Sequence, residues 1–75
     1  MKMSPESIAS LLRERRKALA LVQQDVAQMA GVSLHTLHNL ESGKGNPTLE
    51  VIAKVLEVLG LELQIRARAL DVNAP

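Results

Sequence analysis

His35 and His38 stand three residues apart, a spacing that puts two imidazoles on one face of a helix. Two histidines in a chain without cysteine make a poor metal site, because stable sites draw on three or four ligands. No Ser-His-Asp order, phosphate-cradling glycine loop or pair of catalytic carboxylates accompanies them, so neither an enzyme nor a cofactor site is expected. What remains is hydrogen-bonding chemistry. The stretch from Gln23 to Lys44 reads as two short helices joined by a tight glycine turn, the second with a polar outer face. A protein uses that shape to lay a helix in the major groove of DNA.

The rest of the chain must position this block. Ser4 is a cap, Pro5 suits the first helical position and Glu6 favours the positive end of the helix dipole. Ile8, Leu11, Leu12 and Leu19 give a first helix running to about Ala18. A second helix spans about Gln23–Ala30, with Val26, Ala27 and Met29 or Ala30 inward, and Gly31 ends it in the left-handed conformation. Ser33 caps a third helix, Leu34 to about Ser42, with Leu37 and Leu40 inward and Gly43 as its stop. Lys44-Gly45-Asn46-Pro47 is loop chemistry. Thr48 caps a fourth helix, Leu49–Leu59, whose apolar face is Leu49, Ile52, Ala53, Val55, Leu56 and Leu59, ended by Gly60.

The period then changes. Leu61 to Ala69 alternates apolar and polar residues, the pattern of a half-buried strand. A single strand has no partner in the chain, and an unpaired edge exposes a row of backbone donors and acceptors. Pairing with the same strand of a second copy across a two-fold axis solves this, with Leu61, Leu63, Ile65 and Ala67 forming the dimer strand. A continued helix or an unstructured tail is the alternative. Asp71–Pro75 reads as a frayed end.

Seventy-five residues, 47% of them apolar and none aromatic, make one domain with a small aliphatic core. The helical core is expected over residues 4–60, the dimerising strand over 61–69 and a tail over 70–75. Dimerisation would bury further apolar area at ~25 cal/mol per Å². No apolar run reaches the ~20 residues of a membrane span and no signal-peptide pattern opens the chain, so a cytoplasmic location is expected. Net charge is +1, which by itself announces no nucleic-acid partner. Arg13, Arg15, Arg16 and Lys17 cluster ahead of the block, and such a run is as readily a solvated helix face as a phosphate-binding one.

The series Arg16, Leu21, Gln23, Val26-Ala27, Gly31-Val32-Ser33, Leu37, Leu40-Glu41-Ser42-Gly43 and Pro47-Thr48-Leu49 resembles the Cro/repressor (XRE-type) helix-turn-helix family over roughly residues 8–60. Val22 departs from it where a capping Thr or Asn is usual, and Val26 where Leu is usual. The resemblance implies a fold of the lambda-repressor type: an all-α domain of four helices, here with the one added C-terminal strand. It implies that Leu34, His35, Thr36, His38 and Asn39 face DNA bases, with Asn39 as the amide reader. It implies that Gln23, Ser33, Ser42, Lys44 and Asn46 face phosphates. Arg16 and Glu41 match a structural ion pair of the family, with a phosphate contact by Arg16 as the alternative.

Ending on a strand directly after the fourth helix resembles, more loosely, the HipB-type antitoxins. That likeness implies a homodimeric repressor of a palindromic operator that also binds a HipA-type kinase toxin. A free-standing repressor without a toxin, or a helix-turn-helix serving mainly as a protein-interaction module, are the other readings.

Overall fold

The computed structural model describes residues 4–69 and contains four helices: α1 (Pro5–Ala18), α2 (Gln23–Ala30), α3 (Leu34–Ser42) and α4 (Leu49–Val58). Three of them start on a capping side chain. Ser4, Ser33 and Thr48 accept hydrogen bonds from the amides of Ser7, Thr36 and Val51 at 3.1, 3.0 and 3.2 Å. Helix α2 starts at Val22 with no side-chain cap, the weak start its sequence implies.

All four helices end the same way. The amides of Leu21, Val32, Lys44 and Leu61 donate to the carbonyls of Arg16, Ala27, Asn39 and Leu56 at 3.1, 3.0, 2.9 and 2.9 Å, closing a Schellman turn each time. The turn needs one left-handed residue. Gly31, Gly43 and Gly60 supply it after α2, α3 and α4, but after α1 the position is held by Ala20 at φ 58°. A Cβ makes that conformation unfavourable.

Leu12 from α1, Val26, Ala27 and Ala30 from α2, Leu37 and Leu40 from α3, Val55 from α4 and Leu59 just after it form the buried core. Ala30 therefore takes the inward place on α2 and Met29 is exposed. The main helix contacts are α1 with α3, α2 with α3 and α2 with α4. A groove lies between α1 and α4, and beside it Leu11 and Leu49, expected on inward stripes, stand 57% and 65% exposed. Leu19 and Ala53, also expected inward, are exposed.

The expected strand does not form among the described residues. Leu61–Ala69 is irregular backbone in the single chain, since no second strand is present to complete a ladder. Leu61 is half-buried against the core, whereas Leu63, Ile65 and Ala67 are exposed. The Asp71–Pro75 end lies outside the described residues.

Candidate nucleic-acid interface

Helix α3 is held on its inner side by one ionic cluster. Glu41 is 2% exposed, and its carboxylate accepts from Arg16 Nε at 2.8 Å and from Arg16 Nη2 at 3.0 Å. Arg16 Nη1 reaches the Leu21 carbonyl at 2.9 Å, so one guanidinium ties α1, the α1–α2 turn and α3 together. Gln23, the first residue of α2, donates through Nε2 to Glu41 Oε1 at 3.1 Å. A buried carboxylate is tolerated only when its lone pairs are this well satisfied.

The neighbouring arginines also reach backbone carbonyls of other elements. Arg13 Nη1 donates to the Glu41 carbonyl at 2.8 Å and Arg15 Nε to the Leu59 carbonyl at 2.9 Å. Both cap the carboxyl ends of other helices, where unsatisfied carbonyls attract cations. The basic run of α1 is thus largely scaffold, which a charge count does not reveal. Sequence separations of 28 and 44 residues hide these bonds from any local pattern.

The outer side of α3 carries Leu34, His35 and His38, all exposed, with Thr36 and Asn39 half-buried toward the following loop. Thr36, Asn39, Lys44, Gly45, Asn46 and Pro47 line a shallow depression between α3 and that loop. Asn39 Nδ2 lies 3.2 Å from His35 Nε2, one helical turn back, which ties the amide to its neighbour. The His35–His38 pair gathers no further ligand: among the described residues no three His, Cys, Asp or Glu group as a metal site.

Hydroxyl protons decide which residues can donate to a phosphate, an acceptor-only group. Ser33 Oγ donates to Thr36 Oγ1 at 2.7 Å, leaving the Thr36 proton free to point outward. Ser42 Oγ donates to the His38 carbonyl at 2.8 Å and would have to break that bond to reach a phosphate. Gln23 keeps its second Nε2 proton, next to the first free amides of α2. The Lys44 and Asn46 side chains are exposed.

The arrangement is a short helix with a polar outer face, set against a second helix by a glycine turn and braced by a buried ion pair. Residues 12–65 match the model of the HTH_3 helix-turn-helix family. The chain belongs to that family. An uncharacterized HTH-type transcriptional regulator of Methanothermobacter thermautotrophicus is 38% identical over 53 residues, covering 71% of this chain and 77% of the relative. The cryptic phage CTXphi transcriptional repressor RstR of Vibrio cholerae is 34% identical over 56 residues, 75% of this chain and 50% of RstR. A chain of the solved HipA-HipB-O2-O3 complex superposes with a TM-score of 0.80 at 25% identity, covering 92% of this chain and 97% of that one. This helix-turn-helix protein is accordingly a transcriptional regulator by family. Among its described residues no helix is long and apolar enough to cross a membrane.

Proposed function

We propose that this chain is a sequence-specific DNA-binding repressor that acts in the cytoplasm as a homodimer on a palindromic operator. The observation that carries this reading is the rigid display of α3. Its inner side is fixed by the Arg16–Glu41–Gln23 cluster, while Leu34, His35 and His38 project outward and Asn39 stands at the loop edge. In this reading Leu34, His35, Thr36, His38 and Asn39 meet base edges. Leu34 and the Thr36 methyl suit thymine methyls, and the Asn39 amide suits adenine. Gln23, Lys44 and Asn46 face phosphates first, Ser33 and Ser42 only after rearranging their hydroxyls.

Homodimerisation through residues 61–69 places two such helices about 34 Å apart, one turn of DNA. The exposed row of Leu63, Ile65 and Ala67, set beyond the core of residues 4–60, supports that division of labour. Selection of binding sites from random DNA, with the size of the complex measured in parallel, tests the reading. It expects an inverted repeat bound by two chains, and affinity indifferent to sequence refutes it.

The finer reading is an autoregulating antitoxin whose second partner is a HipA-type kinase toxin. Support comes from the HipA-HipB-O2-O3 likeness, which extends over 92% of the chain and so reaches past residue 65, where the family match stops. A kinase-like gene beside this one, and co-purification of its product, are the expected observations. Specific operator binding without such a neighbour leaves the free-standing repressor as the function.

A further inference from the structure

The carboxamide of Asn39, which the reading above sets against a base, has a neighbour on either side. His35 Nε2 lies 3.2 Å from Asn39 Nδ2, one turn earlier on α3. Opposite runs the loop after α3, where a Cβ on Gly45 would stand 3.9 Å from Asn39 Cβ and 4.0 Å from Nδ2. Asn39 is half-buried there, whereas His35 is exposed.

An amide nitrogen carries two protons and accepts none, so the imidazole is the acceptor of this bond. Its Nε2 is unprotonated and its one proton sits on Nδ1. The ring takes one Nδ2 proton of Asn39. The other, together with Oδ1, forms the edge left for a base. Adenine needs that edge in a fixed order, because its N6–H donates to Oδ1 while its N7 accepts from Nδ2.

We propose that His35 is the positioning residue for Asn39, fixing which way round the carboxamide faces the groove and tying adenine preference to the proton at His35 Nε2. This role rests on the DNA-binding reading above and is played through Asn39, not on a base of its own. A second proton on the ring turns Nε2 into a donor, and of the two carboxamide ends only Oδ1 can accept from it. The carboxamide then turns over about its Cβ–Cγ bond. Donor and acceptor exchange places on the free edge, and the match to adenine is lost. The added charge attracts phosphate whatever the sequence. Protonation thus lowers discrimination without lowering overall affinity.

The charges on the elements around α3 are engaged elsewhere or do not bond the ring. Arg13 and Arg16 of α1 hold the Glu41 carbonyl and carboxylate. Asp25 is the one charged residue of α2, and Lys44 lines the same depression as Asn39. Among the described residues neither forms a hydrogen bond or ion pair with His35. His38, exposed on the same outer side, is the other imidazole.

The test compares affinity for a selected site with affinity for the same site changed at the base pair whose preference Asn39→Ala relaxes. Both are measured at about pH 8 and about pH 5.5, the range in which an imidazole takes its second proton. Their ratio cancels the uniform effect of charge. In the wild-type chain the ratio is expected to fall about tenfold at the lower pH. His35→Gln, whose Oε1 accepts from Asn39 at either pH, is expected to keep the high ratio throughout. His35→Lys, a donor without a lone pair, is expected to give the low ratio throughout. The fall persists in His38→Gln, which removes the only other imidazole. A wild-type ratio indifferent to pH, or a fall abolished by His38→Gln rather than by His35→Gln, overturns the role of His35 and leaves Asn39 as the reader. If Asn39→Ala relaxes no base pair, base reading by Asn39 fails and this role with it. An NMR spectrum of the imidazole nitrogens needs no DNA. At the higher pH it is expected to place the His35 proton on Nδ1, and a proton on Nε2 overturns the role of His35 while leaving the repressor reading untouched.

Discussion

Gln23 Nε2 and Glu41 Oε1 are 3.1 Å apart, joining the start of α2 to the last turn of α3 through a carboxylate that also holds Arg16. The angle between the two helices of the motif is therefore set by one buried charge as well as by the Gly31 turn. Glu41 is the hub, because from α3 its carboxylate holds both Arg16 of α1 and Gln23 of α2.

Removing the hub leaves the half-buried Arg16 guanidinium without its carboxylate. Glu41→Ala is expected to destabilise the domain by about 3–5 kcal/mol, as breaking one side of a buried pair does. Net stability in a domain of this kind is only about 5–15 kcal/mol, so much of the folded population is at stake. Urea denaturation followed by circular dichroism measures the change, and a loss below about 1 kcal/mol would show that the pair is not structural.

The α1–α2 junction holds the opposite kind of site, where substitution improves the protein. Ala20 occupies a left-handed position that glycine fills after the other three helices. Ala20→Gly is expected to add about 1 kcal/mol, raising the melting temperature by roughly 4–8 °C. Val22→Thr supplies the missing cap of α2 and is expected to add a further ~1 kcal/mol. Thermal melts of both variants check this, and a lower melting temperature for Ala20→Gly would refute the strain.

Local chemistry made the helices legible. The caps at Ser4, Ser33 and Thr48 and the stops at Gly31, Gly43 and Gly60 are properties of a few adjacent residues, and the four helices form where those residues lie. Longer-range facts were hidden. The bonds of Arg13 and Arg15 depend on carbonyls that only the folded chain brings near. Leu11 and Leu49 read as core because their stripes are apolar, yet no element crosses between α1 and α4 to cover them. On the candidate interface, residue types were readable, but not that Gln23 and Ser42 already have internal partners. The alternating pattern at 61–69 predicts a strand, but residues 61–69 are irregular backbone, because a strand needs a partner edge and no other described segment supplies one.

The arginines bound to carbonyls have an electrostatic consequence. Lys44→Ala is expected to weaken DNA binding and to reduce the slope of log affinity against log salt by about 1. Arg15→Ala is expected to leave that slope unchanged and to lower stability instead, since its Nε caps the Leu59 carbonyl. Titrations at several salt concentrations separate the two. Equal slope changes would mean that Arg15 leaves its carbonyl to meet a phosphate.

Base reading and phosphate anchoring separate in the same way. Asn39 offers the one carboxamide on α3, and an amide paired with adenine contributes about 1–3 kcal/mol of discrimination. Asn39→Ala is expected to relax preference at a single position of each half-site and to leave the rest of the selected sequence intact. Gln23→Ala is expected to lower affinity for all sequences alike, because a phosphate carries no base identity. Because Gln23 also supports Glu41, its melting curve must be taken alongside, and folding at the assay temperature is the condition for reading the affinity. If Gln23→Ala instead changes which bases are selected, the bond to Glu41 orients α3, and the phosphate role passes to Lys44 and Asn46.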